Sequence, residues 1–377
     1  MTAVAIVFWV AAALLVYTQV GYALLLALLA RVRRRAQPAA TVWSGELPQV
    51  TAIVAAYNEQ QVIAARIANL RALDYPAERL EVIVACDGST DSTAAQARAA
   101  GADTVLELPR GGKIRAQDAA VTHARGELLA FSDANSQWQP DALARLVAAF
   151  GDARVGYVCG DVTFLDNGGT NQEGLYWRYE MWIRRMESAL SSVTAGNGAI
   201  YATRRESYLN VDPLAGHDLS FPFNMVKHGW RALYVTDAHA TEKMAPSIEG
   251  EFKRKRRMAR RTWPTVFHSG LLSPHGYGPL YALMIFSHRI LRYAVPFLHV
   301  LALATSIALL GHGWIYIVAV AFQLALLLGA ALSPVAPARL LLVARYYVVT
   351  NCALAAGLWD WLRGERSAVW ETVEGTR

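Results

Sequence analysis

The chain has 377 residues, is 54% hydrophobic and carries a net charge of +6. Its apolar share exceeds the ~45–50% of soluble domains and sits at the two ends, which excludes a purely soluble chain. The basic residues gather beside those ends, where anionic lipid headgroups would meet them, and no nucleic-acid recognition motif accompanies them.

In chain order, residues 1–30 contain no charged side chain. As a helix they extend roughly 45 Å, enough to cross a hydrocarbon core of about 30 Å with tilt. Arg31, Arg33, Arg34 and Arg35 follow, and by the positive-inside rule they hold the next segment in the cytoplasm. Residues 31–48 form a basic, Pro- and Ala-containing linker. Residues 49–250 form an α/β domain. Apolar runs at Val50–Ala56, Leu80–Cys86, Thr104–Leu108, Leu128–Ser132 and Val155–Gly160 read as strands, and Gln60–Leu73 and Thr90–Ala100 as helices. Continuous apolar runs alternating with helices predict a doubly wound parallel sheet, with ligands at the strand C-termini. Residues 251–292 read as basic and amphipathic interface helices, with His288, Arg289 and Arg292 at the headgroups. Residues 293–362 hold two or three spans, at Tyr293–Leu310, Trp314–Leu332 and a less apolar Leu340–Leu362. A third crossing there would place the tail, 363–377, outside, although it contains Arg363, Arg366 and Arg377. Cys86, Cys159 and Cys352 have neither metal-ligand spacing nor a disulfide framework, as in a reduced compartment.

Three constellations follow predicted strands. Tyr57-Asn58-Glu59 and Cys86-Asp87-Gly88-Ser89-Thr90-Asp91 end the first two. Carboxylates there can accept hydrogen bonds from a nucleoside, although D-G-S-T-D also suits a turn and helix cap. Phe131-Ser132-Asp133-Ala134-Asn135 ends another. On an extended segment Asp133 and Asn135 would point the same way and offer two oxygens to a hard cation.

In this order, Val54 to Asn58, D-G-S-T-D and F-S-D-A-N resemble glycosyltransferase family 2, over about Val50 to Arg261. The surrounding spans are similar to its membrane-bound members, such as hyaluronan, cellulose and chitin-type synthases and their non-processive relatives. The resemblance implies a GT-A fold and a nucleotide-sugar donor. It assigns the nucleotide to Tyr57, Asn58, Glu59, Asp87, Lys113 and Asp133, and Mg²⁺ or Mn²⁺ to Asp133 and Asn135. Gly196-Asn197-Gly198 and His217 match acceptor-binding positions, and Asp218 the catalytic base. Arg254-Lys255-Arg256-Arg257-Met258 aligns with the QxxRW motif, Arg257 facing the leaving diphosphate and Met258 replacing a Trp that would stack on a polymer end. The implied protein is a multi-pass inner-membrane glycosyltransferase with a cytoplasmic catalytic domain. It would carry a sugar, from a UDP-linked donor, to a lipid-linked or surface-glycan acceptor. The rivals are a processive synthase that exports its product and a non-catalytic nucleotide-binding scaffold.

Overall fold

The structure, a computed structural model, describes residues 1–33, 43, 45–165, 172–243 and 248–365. Arg34 and Arg35, most of the linker, and Arg366 and Arg377 of the tail lie outside the described residues. A mixed eight-stranded sheet forms the centre. Its strands are β1 (Val50–Ala56), β2 (Leu80–Asp87), β3 (Thr104–Leu108), β4 (Leu128–Asp133), β5 (Gln137–Trp138), β6 (Val155–Leu165), β7 (Tyr201–Arg204) and β8 (Arg231–Lys243). Every residue of β1 is buried, because helices cover both sheet faces. Val50, Ala52, Val54 and Ala56 enter one apolar core and Ile53 and Ala55 the other, following the two-residue alternation of a strand.

The spatial order is β3-β2-β1-β4-β7-β6-β8-β5. The first four strands are parallel, as the alternating pattern predicts. The other half departs from a wholly parallel sheet. β7 is antiparallel to both β4 and β6, and β5 to β8. β5 and β7 are too short to carry a periodic signal, and β8 alternates between buried and half-buried residues. The reversal of β7 matters for the site. Tyr201, at its start, pairs with Phe131 near the end of β4, so the loop entering β7 comes from the C-terminal edge of the parallel half.

Four helices are long and apolar enough to cross a membrane: Thr2–Val32, Pro279–Ala308, Trp314–Leu332 and Arg339–Leu362. Residues 279–308 form one continuous helix, with no break between an interface segment and a span. His288 and Arg289 are buried against the domain, where they meet Glu180 and Thr194. Two π-helical turns, Tyr17–Gly21 and Ile285–Ile290, interrupt the first two helices and meet through a Tyr17–Ser287 hydroxyl contact of 2.8 Å. Tyr22, Ala23 and Leu26 pack with Ile183, Met186 and Phe223, so the first apolar helix rests directly on the α/β domain.

The helix Arg339–Leu362 follows the basic helix Ile248–His268 along most of its length. Lys255 Nζ donates to the Tyr346 hydroxyl at 2.9 Å and Trp263 Nε1 to the Leu354 carbonyl at 3.1 Å. Arg256 forks onto the buried Asp360 carboxylate at 2.6 and 2.7 Å, and Phe267 stacks on Trp361.

Candidate active site

The reversal at β7 draws three segments together. Asp133 ends β4, the Gly196–Gly198 loop precedes β7, and His217 and Asp218 open the helix His217–Lys227. They share a cavity of about 900 Å³ with Lys113, which begins the helix Lys113–His123. Lys113 Nζ is ion-paired with Asp133 Oδ1, each side chain partly open to the cavity. A Cβ on Gly198 would meet Lys113 Nζ at 3.2 Å and Asp133 Oδ2 at 3.7 Å, so glycine leaves both groups room for a ligand.

The loop is held at both ends. Asn197 Nδ2 donates to the Gly160 carbonyl at 2.6 Å, and its Oδ1 accepts from the Ile200 amide at 2.9 Å. The Gly196 amide donates to the Asp218 carbonyl at 2.6 Å, coupling the loop to the helix start. A Cβ on Gly196 would overlap the Tyr157 hydroxyl, so only glycine fits. Asp218 lines the cavity within the first turn of its helix, whose N-cap is Gly216. Its carboxylate faces the positive end of the helix dipole.

His217 is 3% exposed and stacks on Phe221 with ring centres 3.9 Å apart. Burial, and then the Lys113 charge, holds its imidazole well below its ordinary pKa, so the ring is neutral. Nδ1 and the Tyr201 hydroxyl share a 2.7 Å hydrogen bond. Nε2 is buried without a hydrogen-bond partner among the described residues.

The remaining sequence candidates sit elsewhere. Asp87 is 1% exposed and accepts the Gly111 and Gly112 amides at 2.6 and 2.9 Å. Its carboxylate thereby shapes the loop that delivers Lys113. Arg110 lies over the Tyr57 ring. Asn58 takes a left-handed conformation, φ 52°, and its Oδ1 accepts the Thr90 amide at 2.8 Å. The Glu59 amide donates to Thr93 Oγ1 at 2.8 Å. Tyr57, Asn58, Glu59 and Asp87 thus form a braced shelf beside the cavity and do not line it. β4 ends at Asp133, and Ala134–Asn135 turn away from strand geometry, so the two-residue alternation does not extend to Asn135.

Met258 lines the cavity and Arg257 does not; Arg254 and Arg261 on the same helix do. Burial works against the Arg261 charge, and Asp218 is the acidic group that supports it. Sequence reasoning expected Arg289 and Arg292 at the headgroups and did not single out Arg261 or the wall that these two arginines build with Thr18, Gln19 and Glu180. The available signal was the pair of arginines inside the apolar run 279–308.

The glycosyl transferase family 2 profile matches residues 51–211. An N-acetylglucosaminyltransferase of Rhizobium meliloti is 28% identical over 244 residues, covering 59% of this chain and 57% of that protein. A beta-monoglucosyldiacylglycerol synthase of Nostoc is 32% identical over 166 residues, covering 41% of this chain and 36% of that one. The chain therefore spans about half or less of these relatives' lengths. The solved mannosyltransferase PcManGT from Pyrobaculum calidifontis, in complex with GDP-Man and Mn²⁺, superposes with a TM-score of 0.73. The match covers 96% of this chain and 100% of that one at 24% identity, so the fold is shared across the apolar helices too. With the parallel strands, the acidic strand end and the profile in agreement, residues 51–211 are a glycosyl transferase family 2 domain, set in a GT-A fold.

Proposed function

We propose that this chain is a membrane-spanning glycosyltransferase, with its α/β domain on the cytoplasmic side. It moves a sugar with inversion from a nucleotide-diphospho-sugar, a UDP-sugar being the first candidate, to a hydroxyl on a lipid-linked or surface-glycan acceptor. The carrying observation is one cavity lined both by Lys113, Asp133, His217 and Asp218 of the α/β domain and by Thr18, Gln19 and Arg292 of the apolar helices. That lining suits a donor from the aqueous side and an acceptor from the membrane.

Asp218 would take the proton of the acceptor hydroxyl as its oxygen attacks the anomeric carbon. The bond from that carbon to the nucleoside diphosphate breaks in the same step. A hydroxyl is a poor nucleophile without such an acceptor for its proton. The basic helix would meet the departing charge, through Arg254 and Arg261 on the cavity and Arg257 beside them. The shelf of Tyr57, Asn58, Glu59 and Asp87 would position the nucleoside. His217, neutral and with a buried Nε2, and the Gly196–Gly198 loop would orient the acceptor. Met258 in place of an indole favours single addition over polymerisation.

Mg²⁺ or Mn²⁺ fits this donor set. Such ions use one or two carboxylates and complete their shells with substrate phosphates and water. Asp133 supplies a carboxylate that already faces a cation, Lys113 Nζ, and no denser acidic cluster occurs among the described residues. Asp133 would hold the ion, which when bound would neutralise the diphosphate. The test is a screen of UDP- and GDP-sugars for nucleotide release by the full chain in lipid nanodiscs. We expect release from at least one donor, abolished by Asp133→Asn. Failure to bind any nucleotide-sugar would overturn the reading.

A further inference from the structure

We infer that Thr194 is a positioning residue, whose hydroxyl hands the packing of the first two apolar helices on to the glycine loop and so to Asp218. The catalytic meaning of this link rests on the glycosyltransferase reading above; the link itself does not.

Thr194 is fully buried two residues ahead of Gly196 and does not line the cavity. A hydroxyl offers one donor and two acceptor sites, and here all three face a partner. The Thr194 hydroxyl donates to Glu187 Oε2 at 3.0 Å and accepts from Arg289 Nε at 2.8 Å, and His288 Nδ1 lies 3.2 Å away. The Thr194 amide donates to the same Glu187 oxygen at 3.1 Å. One residue earlier, the Val193 carbonyl accepts from the Tyr281 hydroxyl at 2.9 Å. Two residues later, the Gly196 amide donates to the Asp218 carbonyl. The backbone from Val193 to Gly196 is therefore pinned to Pro279–Ala308 at one end and to the proposed base at the other.

Glu187 brings in the other apolar helix. Its carboxylate is fully buried on the helix Gln172–Leu190. Oε1 accepts from the Tyr22 hydroxyl at 2.6 Å and meets His288 Nδ1 at 2.7 Å, while Oε2 holds Thr194. Thr2–Val32, Pro279–Ala308 and the entry to the glycine loop thus converge on one carboxylate. Hydrogen bonds that share a buried charge reinforce one another, so a displaced helix disturbs the whole set. The π-helical turns fall at the same contacts: Tyr22 directly follows the first, and His288 and Arg289 belong to the second. Such turns frequently occur at functional sites. Small displacements suffice for a catalytic effect, since a shift of about 1 Å at a reacting group can cost on the order of 10²-fold in rate.

Four variants of the full chain in nanodiscs test this. Thr194→Val keeps the shape and removes the hydroxyl, Thr194→Ser keeps the hydroxyl, and Tyr22→Phe removes only the bond from the other helix to Glu187. Thr305→Val is the control, because that buried hydroxyl bonds the Leu301 carbonyl of its own helix. The measurements are hydrogen exchange of residues 193–198, affinity for UDP and GDP with Mn²⁺, and the rate of nucleotide release from UDP-glucose, UDP-N-acetylglucosamine and GDP-mannose. We expect exchange at the Gly196 amide to rise about tenfold in Thr194→Val, less in Tyr22→Phe, and not in Thr194→Ser or Thr305→Val. Nucleotide affinity should stay within about twofold while kcat falls roughly tenfold in Thr194→Val and returns in Thr194→Ser. Unchanged loop exchange in Thr194→Val overturns the link, and faster exchange with a normal kcat overturns its catalytic meaning. A lower unfolding midpoint with unchanged exchange and kcat reduces Thr194 to a packing residue. If the native chain binds no nucleotide and releases none, the transferase reading falls, and the exchange result alone decides the link. Should Thr194→Val fail to fold, Tyr22→Phe decides it, with unchanged exchange as the overturning result.

Discussion

At the residue scale, the roles proposed for Asp218 and Asp133 are separable by measurement. Asp218→Asn should leave donor affinity near normal while transfer falls roughly 10²–10⁴-fold, the usual worth of a general base. Were Asp218 a helix cap, the change would cost little, since Asn caps about as well as Asp. The N-cap of this helix is Gly216, and Asp218 lies inside its first turn. Near-normal turnover of Asp218→Asn would end the mechanism. Asp133→Asn should instead weaken metal-dependent donor binding, and full turnover in excess EDTA would contradict it. His217 makes a pH prediction. Its folded pKa lies well below the ordinary 6.5 through burial and the Lys113 charge. Below pH 6.5 the unfolded chain binds a proton that the folded site refuses, so stability falls as pH drops through 6.5 and is flat above it. His217→Gln removes that contribution. The native unfolding midpoint, followed in detergent from pH 8 to 5, should fall more steeply than that of the variant; parallel curves would refute a buried neutral His217.

At the element scale, the glycine loop is placed by its neighbours as much as by its own sequence. Gly196 backs onto Tyr157 and its amide bonds the Asp218 carbonyl, so loop and base move together. Gly196→Ala should destabilise the fold by about 1–3 kcal/mol, the usual cost of overpacking, and lower transfer more than donor binding. Adding Tyr157→Phe removes the oxygen that the new methyl group meets and should recover part of both losses, by thermal unfolding and rate measurement. No recovery would mean that the loop, and not this contact, sets the cost. The loop was legible as Gly196-Asn197-Gly198, but its position depended on the reversal of β7. A four-residue strand gives no periodic signal of its direction. The strand ends at Asp87 and Asp133 were legible because long apolar runs stop there, although Asp87 turns inward to brace the Lys113 loop and Asn135 leaves the strand line.

At the scale of the whole molecule, the packing of the last apolar helix bears on the conflict over the tail. Arg339–Leu362 is apolar and long enough to cross, yet it lies along the basic helix from Tyr346 to Trp361 and is tied to it by the Arg256–Asp360 pair. Tyr347 of the same helix also shares a 2.8 Å hydrogen bond with His299 of Pro279–Ala308, so the helix rests on a candidate span as well. We propose that Thr2–Val32, Pro279–Ala308 and Trp314–Leu332 cross and that Arg339–Leu362 lies at the interface, which would put Arg363 on the side of the domain, as the positive-inside rule asks. Gly101→Cys in a Cys352→Ser background, and an epitope placed after Glu365, should both react with impermeant reagents only after permeabilisation. Opposite accessibility of the two positions would restore a fourth crossing.

The sequence by itself determined what depends on local pattern: the apolar ends, the parallel strands from Val50 to Asp133, the acidic strand ends and the family resemblance. These follow from burial period and short motifs, which neighbouring residues specify alone. Only the tertiary structure decided what depends on distant segments meeting. It reversed β7, set Lys113 on Asp133, put Arg261 rather than Arg257 on the cavity, and brought Arg289 and Arg292 to Glu180. It also laid the last apolar helix along a charged one. The physical reason is that an arginine in an apolar run is costly alone and stable once paired, and the chain order does not reveal where its partner comes from.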